Sequence, residues 1–219
     1  MVWLRGLAQD AGGIAWNDRW WLCWNTFLAA VPVLLAVPLF RHRGRWRAFS
    51  WIGLAAFVLV LPNAPYVFTD LVHLRADVAQ AGSDATVYLG ILPLYAAFIA
   101  IGFGCYAASL REVGAWLRRI GRQQSIGPVE LALHGLSAVG VLLGRVAHLN
   151  SWETVTHPEA TMGRALDTLS WRASPIVLVA LFTAIWLGHA ITRALATSGM
   201  TWAGTHVPRL RGTNSAATA

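Results

Sequence analysis

Five long apolar runs separated by short polar stretches set the pattern of this chain, at about residues 20–40, 48–68, 86–110, 126–149 and 175–195. Each is close to the roughly 20 residues that a helix needs to cross a bilayer. The pattern predicts an all-α integral membrane protein, a bundle of five transmembrane helices. A shorter helix is expected in the external loop between spans four and five. There Thr156-x-x-Glu159 has the form of a capping box, and Pro158 suits a first helical turn. Met162, Leu166 and Leu169 then recur at helical spacing opposite Arg164 and Asp167. This segment should be amphipathic and lie on the membrane surface, its apolar face turned to the bundle or to lipid.

The pattern divides the chain into an extracytoplasmic N-terminal segment (1–19), a five-span domain (20–195) and a cytoplasmic tail (196–219) whose last residues should be disordered. Trp20, Trp21 and Trp24 open span one as an aromatic belt, and Asn25 should bond a neighbouring helix. Span three carries no charge and reads as scaffold. The stretch 111–125, with Trp116 and Leu117 among arginines, suggests a short interfacial helix. In span four, Gly140-x-x-x-Gly144 would let another helix approach closely.

Composition removes the soluble classes. Of 219 residues, 56% are hydrophobic and 12% charged, where a soluble domain has about 25% charged. The net charge of +7 would suit nucleic acid in another protein. Here all 17 basic residues are arginine, clustered in short loops as topology signals are, and no nucleic acid is expected as partner. Eleven of them lie at 41–47, 111–122 and 193–211, on one side of the predicted bundle. The positive-inside rule then predicts an outside N-terminus and a cytoplasmic C-terminus in a bacterial cytoplasmic membrane. Cys23 and Cys105 both lie in apolar runs and outline no disulfide framework.

Polar residues at membrane depth mark the candidate chemistry. In Leu61-Pro62-Asn63-Ala64-Pro65-Tyr66-Val67-Phe68-Thr69-Asp70-Leu71-Val72-His73, the residues Asn63, Tyr66, Asp70 and His73 follow 3-4-3 spacing on one helical face. The two prolines predict either a broken helix, with Asn63 capping its second part, or a plain kink filled by packing. Asp70 and His73, with Thr69 beside them, suit a general acid/base pair or part of a metal site; a solvated helix end is the bland alternative. Span four answers with Arg145 at a similar depth, followed by His148, Asn150, Trp152 and Glu153. An arginine in an apolar run needs a partner, and Asp70 is the nearest acid by depth. Asp70 and His73 are therefore the candidate catalytic residues. Asn63, Tyr66, Thr69, Arg145, His148, Asn150, Trp152 and Glu153 are the candidate ligand-binding residues.

Asn63-Ala64-Pro65-Tyr66 with Thr69-Asp70-Leu71-x-His73-Leu74, and Gly144-Arg145 with Asn150-Ser151-Trp152-Glu153, resemble the signature of domain-of-unknown-function family 1361. The resemblance spans about residues 20–195 and implies a multi-pass bacterial membrane protein. It implies roles for Asn63, Pro65, Tyr66, Asp70, His73, Gly144, Arg145, Asn150, Ser151 and Trp152. This chain departs from it at His148, where the resemblance implies a second arginine.

Two other readings of the histidines arise. His134 and His148, fourteen residues apart, have the spacing of a two-haem helix, yet the partner positions are Leu59 and Pro175, and the haem reading fails. Glu130 and His134, at i, i+4, read as a structural pair. The sequence names no cofactor and no metal set. It predicts a polar pocket facing outward between spans two and four, for a small polar ligand or lipid headgroup. The alternative is a non-enzymatic transporter subunit or assembly partner, where the same residues only lock helices together. A transporter should also line an inner path, and there the sequence offers only Glu130, His134 and His189.

Overall fold

The computed structural model describes residues 2–42, 48–146 and 156–206, with side chains within 20–42, 48–146 and 156–198. Among the described residues, five helical stretches are long and apolar enough to cross a membrane: Trp20–Arg41, Ala48–Gln80, Asp84–Arg119, Gln123–Val146 and Ser174–Ser198. They run up and down, so the chain is a multi-pass bundle with two ends, one holding Arg41 and the other Asp70.

The first helix, α1 (Val2–Arg41), is continuous through Pro32 and Pro38, and so includes the N-terminal polar segment. The second span is composite: α2 (Ala48–Val60), the single turn α3 (Asn63–Tyr66), a 3-10 turn at Val67–Asp70, and α4 (Leu71–Gln80). Ser83 caps the short turn α5 (Asp84–Thr86), accepting a bond from the Thr86 amide. A π-helical turn at Val87–Ile91 leads into α6 (Leu92–Arg119). The expected interfacial helix after residue 111 is instead the last part of α6, which stays helical to Arg119 and stops at Gly121, with φ of +75°. Span four is α7 (Ile126–Val146). Next, α8 (Pro158–Ser170) has Pro158 in its first turn but His157 and not Thr156 at its N-cap, without a side-chain cap bond, and α9 (Ser174–His206) completes the bundle.

The helix α6 is the hub, packing against α1, α3, α7 and α9. Between apolar helices in lipid, close approach and fit replace the hydrophobic drive of water. The contacts show it: Ala36, Ala64 and Ala138 are buried beside Phe40, Phe57, Tyr106, Leu110 and Val141. Three glycines mark the tightest crossings. A Cβ at Gly102 would lie 2.6 Å from the Ala64 carbonyl, one at Gly140 2.7 Å from Pro62 Cβ, and one at Gly188 2.7 Å from Phe103 Cδ1. The proline segment is therefore clamped between α6 and α7 by glycines on both sides.

That clamp settles the two readings of the proline motif. Pro62 sits at φ −58° and ψ −23°, and the Tyr66 amide bonds the Pro62 carbonyl at 3.0 Å, so the chain stays right-handed across the prolines. The helix tightens and does not unwind. Asn63 is the first residue of α3 and not its cap.

One packing expectation changes and another is narrowed. Asn25 donates to the Trp21 carbonyl of its own helix at 3.0 Å, not to a neighbour. On α8, Thr161 and Thr168 are buried, while Met162 and Leu166 remain 62% and 60% exposed. The apolar stripe thus points away from the bundle.

Candidate functional site

The tightened segment carries Asp70 into the bundle. Asp70 is 1% exposed, at the end of the 3-10 turn and the start of α4. Opposite stands Arg145, in the last turn of α7. The Gly140–Pro62 crossing sets this register, one to two turns below.

The two side chains meet as their depths predicted. Arg145 Nη1 donates to Asp70 Oδ1 at 3.4 Å, and Nη2 donates to the Thr69 carbonyl at 3.1 Å. The guanidinium thus spans two consecutive residues of the 3-10 turn. Asp70 Oδ2 is buried and has no hydrogen-bond partner among the described residues. The arginine side chain itself is 31% exposed. A buried carboxylate oxygen without a donor is costly, and in native sites it points to a proton, a water or a ligand.

Thr69 belongs to this site through its backbone: its hydroxyl donates to the Tyr66 carbonyl at 2.7 Å, leaving its own carbonyl to Arg145. Tyr66 packs its ring against the apolar core. Asn63 is half-buried at the start of α3. His73 is exposed one turn beyond Asp70, its ring edge-on to Trp21 of α1 at 5.0 Å. The 3-10 turn rotates the polar row, so Asp70 faces α7 while His73 faces α1. His148, Asn150, Trp152 and Glu153 lie outside the described residues.

The row has a further member that the sequence reading passed over. Asp77, one turn after His73, is buried and accepts the Tyr95 hydroxyl at 2.6 Å. Extending the 3-4-3 spacing by four residues would have found it. Nearer the Arg41 end, Tyr106 of α6 lies 2.9 Å from His134 Nδ1 and donates to Ser137 Oγ at 3.2 Å, with the His189 ring beside both. Glu130 does not pair with His134: it accepts from Arg193 Nη1 of α9 at 3.3 Å. Span three, read as scaffold over 86–110, therefore supplies Tyr95 and Tyr106 to polar contacts. Among the described residues, no group of three or more His, Cys, Asp or Glu side chains gathers as a metal site.

No curated protein and no solved structure is significantly similar to the chain. A family model described as protein of unknown function, DUF1361, matches residues 24–187, including the proline motif, Asp70 and Arg145. The chain belongs to the DUF1361 family.

Proposed function

We propose that Asp70 and Arg145 form the floor of a ligand site facing the extracytoplasmic side of a bacterial cytoplasmic membrane, taking a small polar ligand or a lipid headgroup with an anionic group. The observation that carries this reading is the incomplete pairing. Arg145 spends two arms on Asp70 Oδ1 and the Thr69 carbonyl and keeps a partly exposed edge, while Asp70 Oδ2 is left without a described partner. Arginine is the side chain best shaped for a planar anion such as phosphate or carboxylate. Asp70 holds the guanidinium in place and offers an acceptor, and His73, one turn further out, is the group for proton transfer at the rim.

The arginine distribution supports the orientation, with eleven of seventeen in the sequence segments 41–47, 111–122 and 193–211. A fluorescent reporter active only in the cytoplasm, fused after Ala219, should be bright; a dark and stably inserted fusion contradicts this orientation.

The ligand reading is tested by native mass spectrometry of the detergent-purified protein with added phosphatidylglycerol or phosphatidylethanolamine. Wild type should retain an anionic lipid or phosphate-bearing adduct that Arg145→Gln loses and Arg41→Gln keeps. Arg145→Lys separates this reading from one in which the pair only locks helices. Lysine keeps the cation but not the two-point hold, so retained adduct with lowered stability supports a ligand site. Equal adducts in wild type and Arg145→Gln leave the locking role.

A further inference from the structure

The geometry points to a second, separate site: a buried proton-binding cluster formed by His134, His189, Tyr106 and Ser137, served by Glu130. Three helices contribute to it, α6 with Tyr106, α7 with His134 and Ser137, and α9 with His189. All four residues are buried, at 0%, 2%, 1% and 4% exposure for Tyr106, His134, Ser137 and His189. The two imidazole centroids are 5.1 Å apart at an interplanar angle of 57°, and the Tyr106 ring is edge-on to His189 at 6.0 Å. Polar groups this deep in an apolar bundle are functional-site candidates by their cost alone.

The hydrogen bonds leave the cluster with two proton arrangements. The Tyr106 hydroxyl has one proton and two neighbours, His134 Nδ1 at 2.9 Å and Ser137 Oγ at 3.2 Å. If Tyr106 donates to Ser137, His134 carries its proton on Nδ1 and offers Nε2 as an acceptor. If Tyr106 donates to Nδ1, the Ser137 hydroxyl turns to donate to Tyr106. Switching between them moves protons without moving a heavy atom. No carboxylate takes part in these bonds, so a proton added to either imidazole brings a charge that needs a counter-ion.

One turn toward the Arg41 end the same two helices hold that counter-ion. Glu130 precedes His134 by four residues on α7, and Arg193 follows His189 by four on α9, so an ion pair lies below the imidazole pair on the same faces. The Glu130–Arg193 contact is single, at 3.3 Å, and the arginine side chain is 63% exposed. Such a pair is held weakly. When a proton from water at the Arg41 end reaches the imidazoles, Glu130 can release Arg193 to solvent and pair with the new imidazolium. One proton is taken up, one ion pair is exchanged for another, and no covalent bond beyond the N–H changes. The charged and titratable groups around the pair are Tyr106 from α6, Glu130 from α7 and Arg193 from α9. The cluster does not depend on the Asp70–Arg145 reading. On α7 the stripe Glu130, His134 and Ser137 continues to Arg145 through Val141, which is fully buried and apolar. On this face of α7 the polar groups next to the cluster therefore lie toward the Arg41 end.

Opposite effects of two substitutions that break the same ion pair test the proposal. Full-length protein with 15N-histidine in lipid nanodiscs is compared at pH 8 and pH 5.5, with His134→Gln and His189→Gln assigning the signals. At pH 5.5 one of the two buried rings should show the imidazolium pattern. Glu130→Gln should cut the imidazolium-to-neutral ratio about tenfold or more, the effect of one nearby opposite charge. Arg193→Gln, which frees Glu130, should raise it. Changes in the same direction would mark the ion pair as structural and overturn the proposal, as would two neutral rings at pH 5.5 in Arg193→Gln. Should Glu130→Gln fail to fold, Arg193→Gln against wild type decides alone.

Discussion

Arg41–Glu112 and Arg145–Asp70 are arginine–carboxylate pairs at opposite ends of the bundle, and they are built differently. At one end Arg41 meets Glu112 through two bonds, Nε to Oε2 at 2.9 Å and Nη2 to Oε1 at 2.7 Å. The fork matches the carboxylate, and both oxygens are satisfied. Arg119 adds a bond to the Arg41 carbonyl at 3.3 Å, closing the end of α1 onto α6. At the other end Arg145 touches one oxygen of Asp70 at 3.4 Å and divides itself with the Thr69 carbonyl. The acids are similarly buried, at 9% for the Glu112 side chain and 2% for Asp70, yet only Asp70 keeps an oxygen without a described partner. A self-satisfied pair is a fastening. An incomplete one retains the capacity to bind something else, at a cost that a fastening alone would not justify.

The largest effect expected from breaking this contrast comes at the open pair. Asp70→Asn leaves Arg145 without its acid in a setting where only a third of its side chain is exposed. Orphaning one partner of a buried pair costs about 3–5 kcal/mol, and the partial exposure places this site near the lower figure. Arg145→Gln combined with Asp70→Asn should cost less than the sum of the single losses, because the two changes remove one shared interaction. Unfolding of the three variants in mixed micelles measures this. Strictly additive losses would show that the two residues act independently despite their contact. A more stable Asp70→Asn would show that the acid is already neutral in the folded protein.

Next in size is the crossing that positions the open pair. Gly140→Ala places a methyl group against Pro62, where the nearest ring atoms leave no room. Overpacking of this kind costs about 1–3 kcal/mol. The displaced helix is α7, so Arg145 should separate from Asp70 while Arg41 stays on Glu112. Gly104→Ala is the control, since a Cβ there meets nothing within 4 Å. Equal melting temperatures for the two variants would mean that α7 shifts freely and that the crossing does not set the site.

Legibility in the sequence follows the same division. The five spans could be read because each is a property of one apolar run, and α8 because its proline and periodicity are both local, although its N-cap fell one residue later than the capping pattern implied. Asp70 and Arg145 could be matched because each is an unusual residue at a depth that counting gives. The 3-10 turn was not readable: it begins at Val67, which packs against Gly102 of α6, a contact between residues far apart in sequence, and it leaves Asp70 facing α7 and His73 facing α1. Asn63 looked like a cap because proline usually breaks a helix, whereas here packing from α6 and α7 keeps the chain right-handed. Arg41–Glu112 and Tyr106–His134 were missed for one reason. Tyrosines in an apolar run and arginines in a basic loop each have an ordinary local explanation, and only the bundle brings their partners to them. Glu130 had two candidate partners, one on its own helix and one across the bundle, and spacing alone favoured the wrong one.

The smallest effect should come from the closed pair, which follows from its exposure. Arg41 lies at the end of α1 with its side chain 61% exposed, so when Glu112 is changed the guanidinium can turn to water or to lipid phosphates. Glu112→Gln should therefore destabilise less than Asp70→Asn, even though it removes two good hydrogen bonds and Asp70→Asn disturbs one long contact. Salt sharpens the distinction, because exposed charges are screened and buried ones much less so. Raising sodium chloride from about 0.1 to 1 M, where the screening length falls from roughly 10 to 3 Å, should shrink the difference between wild type and Glu112→Gln. The difference between wild type and Asp70→Asn should stay nearly constant. Arg41→Lys should behave like Glu112→Gln, since an ammonium cannot fill both carboxylate oxygens as the fork does. A loss for Glu112→Gln that equals or exceeds that for Asp70→Asn, unchanged by salt, would reverse the ranking and make the Arg41 end the more tightly buried of the two.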